Sequence, residues 1–193
     1  MTHEFAERMF TESVKLTQTH FGSREQNERL HRSFGPNDEL TEKEAEFITG
    51  RDSFYLSTVS ETGWPYVQHR SGPPGFLKVL DRQRIAYADF KGNTQLISTG
   101  NVATNDKCSL ILMDYANRRR LKLLGHLQMH DVRAAPIPEL ELVVPSDYKA
   151  KVERVAIIQI VAFDWNCPQH ITPRYTLAEL EREDVLRESS PRP

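Results

Sequence analysis

At 193 residues, 38% hydrophobic and 27% charged, the chain suits one domain with extensions and is long enough to bury a core. Its 25 Lys and Arg against 27 Asp and Glu give a net charge of −2, which excludes the global basic field that gathers nucleic acid or an anionic membrane. Any anion site must be local. Cys108 and Cys167 form no CxxC pattern, the start MTHEFAERMF has no apolar signal core, and no run approaches a membrane span, so a reduced, cytoplasmic protein is expected.

Residues 1–34 read as helical, with Phe5, Met9, Phe10, Val14 and Leu16 near helical spacing and apolar on one side only. Gly35-Pro36-Asn37-Asp38 breaks that pattern. A helix from Thr41 to Thr49 follows, with Thr41 and Glu44 as a capping box and Gly50 at its end. Strands are expected at Phe54–Val59 and Trp64–Ser71 around the turn Glu61-Thr62-Gly63. Two more are expected at Phe76–Leu80 and Arg84–Phe90 around Asp81-Arg82-Gln83. Thr94 to Thr99 reads as a short helix closed by Gly100. Lys107–Tyr115 and Arg119–His130 read as strands joined at Ala116-Asn117. Helical character at Glu139–Leu142 and Asp147–Glu153 precedes a last strand, Val155–Phe163, and Thr176 with Glu179 opens a C-terminal helix.

Short strands, close turns and no regular strand–helix alternation predict a mainly β protein: an antiparallel barrel with flanking helices and an N-terminal helical extension. The boundaries are 1–40 for the extension, 41–170 for the barrel domain, and 171–193 for a C-terminal helix and tail. No GxGxxG, P-loop, G-x-S-x-G elbow or zinc-ligand spacing is present, and no metal is expected.

Three segments carry polar chemistry. In the second strand Trp64, Tyr66, Gln68 and Arg70 share one face, an apolar wall ending in an amide and a guanidinium; His69 lies between them. On these residues alone a solvated barrel rim is the commoner reading. In the run Tyr87 to Thr94 a strand enters a Gly-containing turn and then a helix start, where free amides favour a phosphate; Lys91 adds charge, and Asn93 or Thr94 is a candidate cap. The same run is also a capped turn with nothing bound. In the strand Arg118 to Lys122, the residues Arg118, Arg120 and Lys122 share one face, either solvated or matched by an anion. Aromatic interleaving is absent, which weighs against nucleic acid.

In order and spacing, FYLSTVSETGWPYVQHR, IAYADFKGNTQLIS, TGNVATNDKCSLILMDY and RRRLKLLGHLQ resemble the FMN-binding split barrel of the pyridoxamine 5′-phosphate oxidase-like family, over residues 54–163. Asp164 to Ile171 looks like the ending of a stand-alone, oxidase-related subgroup. The resemblance implies a Greek-key split barrel, a homodimer with FMN at the subunit interface, and a flavin-dependent oxidoreductase using a small-molecule substrate or an electron donor such as NAD(P)H. It puts Gln68, His69 and Arg70 beside the flavin ring and phosphoribityl chain, and Ala88, Asp89 and Phe90 on the strand passing the flavin. Lys91, Asn93 and Thr94 fall on the phosphate turn, Arg120 and Lys122 on a further strand facing the cofactor, and Trp165 and Asn166 on the partner's side. The oxidase proper carries Arg-Lys where Asn93 and Thr94 stand, and its C-terminal Arg and His pattern is absent from Pro173 to Pro193. Pyridoxamine phosphate is therefore not the expected substrate. Two alternatives stay open: a non-catalytic flavin carrier or sensor, and a barrel that holds a deazaflavin or, through His69 or His170, a haem.

Overall fold

The computed structural model describes residues 3–134, 136–144 and 148–181. The N-terminal stretch, expected as one helical run, folds as three short helices: α1 (Glu4–Met9), α2 (Glu12–His20) and α3 (Arg24–Ser33). Thr11 restarts the helix after Phe10 by accepting the Val14 N–H at 3.4 Å, and Gly22 at φ +71° ends α2. The apolar positions consequently do not share one face. Phe5 is buried, whereas Met9, Val14 and Leu16 are exposed.

The helix α4 (Glu42–Thr49) forms as the capping box predicts. The carboxylate of Glu44, itself buried, accepts the Thr41 backbone N–H at 3.1 Å, the Thr41 hydroxyl and the Trp165 indole N–H at 2.7 Å. One side chain thus starts a helix and ties it to the end of the last strand.

The strands are β1 (Ser53–Val59), β2 (Pro65–Ser71), β3 (Lys78–Val79), β4 (Arg84–Phe90), β5 (Lys107–Asp114), β6 (Arg119–Asp131) and β7 (Val152–Trp165), with α5 (Ile97–Thr104) before β5 and α6 (Leu140–Val143) before β7. The strand expected over 76–80 shrinks to Lys78–Val79, because Phe76 and Leu77 are both buried as core anchors rather than alternating. The helix expected through Glu153 is not formed there, since Val152 and Glu153 already belong to β7; Asp147 lies outside the described residues. The C-terminal helix begins at residue 177, with Glu179 accepting the Thr176 N–H at 2.7 Å.

All ladders are antiparallel, in the order β2-β1-β5-β6-β7-β4-β3. The connection from β4 through α5 to β5 passes over β7 and β6, a Greek-key crossover. The ladder leaves β2 and β3 as edges, so the barrel is split rather than closed. The sheet still curls. Phe54 of β1 meets Tyr87 of β4 edge-on at 5.3 Å, although their strands are not neighbours. A bulge between Leu124 and Gly125 bends the long β6–β7 pair, and a Cβ at Gly125 would stand 2.7 Å from the Gln159 carbonyl. One core fills the curl, with Phe54, Leu56, Tyr87, Leu110, Leu121 and Ile158 at its centre. A smaller cluster around Ala86, Ala88, Val143 and Val155 lies on the other face of β4.

Burial raises the Glu44 carboxyl, but its hydrogen bonds from Thr41 and Trp165 outweigh this and hold it below its ordinary 4.5. A carboxyl depressed in the fold contributes stability that is fully present above its unfolded value and lost as pH falls through the folded one. Glu44→Ala is expected to cost about 1.5–3 kcal/mol at neutral pH. In urea melts followed against pH, the gap to wild type should narrow on acidification below 4.5. A gap that is constant with pH would contradict the charged cap.

Candidate functional site

Strand alternation sets the first wall. In β2 the half-buried Tyr66, Gln68 and Arg70 face inward, while His69 faces out and packs its ring 5.4 Å from Tyr55. Trp64 precedes the strand and is 75% exposed, so it does not extend the wall as expected. The Tyr66 hydroxyl donates to Gln68 Oε1 at 3.0 Å, which fixes the amide.

Arg70 crosses the split in the barrel. Its Nη1 donates to Asp89 Oδ1 at 2.6 Å, and the other oxygen of Asp89 accepts from Arg154 Nε at 2.7 Å. Asp89 and Arg154 are register partners on β4 and β7, so the pair follows from the ladder. The carboxylate is only 2% exposed and is shared by two guanidiniums, both of which also reach the cleft beside it. Arg70 Nε is buried without a partner.

The third wall is the loop into α5. The helix starts at Ile97, not at Thr94, and runs through Gly100 to Thr104. Gly100 closes nothing: its surroundings are open, and Asn101 holds the helix to the barrel through a 2.9 Å bond to Thr58 Oγ1. Asn93 and Thr94 are therefore not helix caps. Asn93 Oδ1 instead accepts the Gln95 N–H at 3.2 Å. Thr94 at φ +60° and Leu96 at φ +57° are both left-handed, a strained pair for residues with side chains. The first turn of α5 carries no acidic residue and no side-chain cap, so its amides face the cleft unmet by any carboxylate. Ser98 Oγ is buried there with no partner.

These walls enclose a cleft of about 230 Å³. Of the residues expected from the sequence, Gln68, Arg70, Asp89, Phe90, Asn93 and Thr94 line it together. The others lie elsewhere. Ala88 packs in the smaller cluster, and Lys91 is exposed, its backbone N–H donating to the Lys151 carbonyl at 2.8 Å. Lys122 pairs with Asp164 at 2.8 Å and covers the Phe5 ring, fastening α1. Trp165 packs edge-on against Phe47 at 4.8 Å and is held by Glu44. Arg120 and Asn166 meet through the Asn166 N–H and the Arg120 carbonyl at 3.2 Å, and Arg120 Nε and Asn166 Oδ1 are both buried without partners. Arg154 and Trp165 stand at opposite ends of β7, separated by about 35 Å of strand.

Sequence reasoning missed Arg154, Gln95 and Ser98. Arg154 was legible in principle: a lone guanidinium two residues before Ala156, on the face that continues as Ile158 and Ile160. Among the described residues no group of three or more His, Cys, Asp or Glu is placed to hold a metal, and no helix is long and apolar enough to cross a membrane.

The family model for pyridoxamine 5′-phosphate oxidase matches residues 40–155. No curated protein sequence matches the chain. Among solved structures, Group A Streptococcus HupZ superposes with a TM-score of 0.52 at 14% identity, covering 70% of this chain and 99% of its own. An FMN-binding protein from Syntrophomonas wolfei gives 0.46 at 15% identity, covering 78% and 97%. A Clostridium acetobutylicum protein related to general stress protein 26 gives 0.43 at 14%, covering 72% and 94%. The HupZ likeness shows the fold alone.

Asp89 tests how the cleft is held. Asp89→Ala leaves two guanidiniums facing one another at the barrel mouth, and urea unfolding should show a loss of about 3–5 kcal/mol. A loss comparable to an exposed ion pair, about 1 kcal/mol or less, would contradict the shared carboxylate.

Proposed function

This chain belongs to the pyridoxamine 5′-phosphate oxidase family, and we propose that it is an FMN-dependent oxidoreductase whose flavin phosphate sits at the start of α5. The observation that carries the reading is the uncapped, acid-free α5 N-terminus beside the orphaned Ser98 Oγ and the two cleft arginines. The residues fit the group. First-turn amides and the Ser98 hydroxyl meet phosphate oxygens, Arg70 and Arg154 supply compensating charge, and the Gln68 amide offers a hydrogen bond to the ring. When bound, the flavin supplies hydride or electron transfer. The chain's own part is to fix the ring, exclude water and stabilise negative charge through Arg70.

The single-chain cleft, at about 230 Å³, is below the roughly 300–1,000 Å³ of small-molecule sites. A second copy completes it in this proposal. Arg120 and Asn166, with their unpartnered polar atoms, serve the other subunit's flavin, because their distance from Arg154 bars them from this one. The outer face of β1 and β2 is suited to such contact, with Val67 60% and Tyr55 38% exposed. NAD(P)H is the proposed electron donor, and the cytoplasm the proposed compartment.

Purified protein supplied with FMN should retain a flavin spectrum through gel filtration and sediment as a dimer. Arg70→Ala should weaken FMN binding by roughly one to two decades, and Ser98→Val, which breaks no ion pair, by up to about tenfold. Stopped-flow mixing with NADH or NADPH should bleach the flavin. Bleaching by neither would remove the proposed donor, and FMN affinity unchanged in both variants would remove the phosphate site.

A further inference from the structure

The extension α1–α3 lies outside the family-matched segment 40–155 and holds its own cleft, of about 280 Å³. His3 shapes it from below. It is 3% exposed, its Nδ1 accepts the Ala6 N–H at 3.3 Å, and its Nε2 lies 3.0 Å from the Asn37 amide. Burial, then the neighbouring His31, lower its proton affinity, in keeping with Nδ1 accepting the Ala6 N–H. His31 stands edge-on to His3 and to Phe10, with ring centroids 4.8 and 4.7 Å away. Its Nδ1 is 2.7 Å from the Asn27 carbonyl, which can only accept; that nitrogen carries the proton, and the ring stands as a wall of the cleft.

The charges around this cleft do not balance. Arg32 is paired with Glu28 at 2.7 Å. Lys15 of α2 and Arg24 of α3 are half-buried, and among the described residues neither forms an ion pair; Arg24 reaches only the Gln18 amide, at 3.2 Å. The remaining carboxylate in the lining, Glu7, is exposed and bonded to neither. Two cations from different helices thus face one hollow whose remaining wall is Ala6 and Phe10. Holding them there is unfavourable unless an anion comes between them.

We propose that this cleft binds a phosphate monoester with an apolar body. Lys15 and Arg24 take the dianion from two helices, and Phe10 with Ala6 receives the organic part. A tetrahedral dianion can meet donors arriving from several directions, whereas a planar carboxylate satisfies fewer of them.

The test is calorimetric titration of the full chain with phenyl phosphate, with benzoate and inorganic phosphate alongside. Phenyl phosphate should bind saturably and more tightly than either. Lys15→Gln and Arg24→Gln should each weaken it roughly ten- to a hundredfold. Lys15→Gln should not lower the melting temperature without the probe, because the Lys15 ammonium forms no ion pair among the described residues. Arg70→Ala, in the flavin cleft, should leave phenyl phosphate binding unchanged. No binding, binding that survives the double substitution, or binding lost with Arg70→Ala would overturn the proposal, as would benzoate binding as tightly. FMN retention, read from the visible spectrum, reports on the other site separately.

Discussion

The structure depends on one buried carboxylate. Asp89 is shared by Arg70 from the edge strand β2 and by Arg154 from β7, strands that sit on either side of the split in the sheet. Backbone hydrogen bonds cannot close that gap, because β2 has a ladder partner on one side only. The ion triad closes it instead, with Phe54 beneath, stacked on Phe76 and edge-on to Tyr87. A buried charge is costly when unmatched, so the arrangement fixes the strand ends through what breaking it would leave behind. The same two guanidiniums then line the cleft above, so in the proposed reading architecture and anion recognition share their atoms.

The loop from Asn93 to Leu96 is the second constraint. By delaying the helix to Ile97, it turns the α5 N-terminus toward those arginines rather than along the sheet. It does so with two left-handed residues that carry side chains, Thr94 and Leu96. Strain of this sort costs on the order of 1–3 kcal/mol per residue and persists where the surroundings enforce it. Here the enforcement comes from the Asn93 side chain bonding forward to Gln95, and from Asn101 anchored to Thr58 inside the barrel.

Much of this was legible in the sequence. Alternation gave β1, β4 and β5 nearly to the residue, and put Gln68 and Arg70 on one face with His69 opposite. The Thr41–Glu44 pairing was local and formed as read. What was hidden is tertiary. Gly100 looks like a helix end, but a glycine with open space around it interrupts nothing when Asn101 is anchored. The start of β7 was obscured by the charged run Lys149 to Arg154, whose last guanidinium bonds at 2.7 Å to Asp89, on a strand far away in sequence. Trp165 and Lys122 carry the chemistry of a site, yet in this chain they fasten α4 and α1 to the barrel. Composition and spacing cannot separate those uses.

In the proposed reading the cleft recognises a phosphorylated flavin through its phosphate. Comparing the affinities of FMN and riboflavin by fluorescence quenching, on the same preparation and at the same ionic strength, tests it most directly. Riboflavin, identical in its ring and lacking only the phosphate, should bind at least about a hundredfold more weakly. Equal affinities would mean that the α5 N-terminus and its arginines hold no phosphate, and would overturn this reading of the cleft.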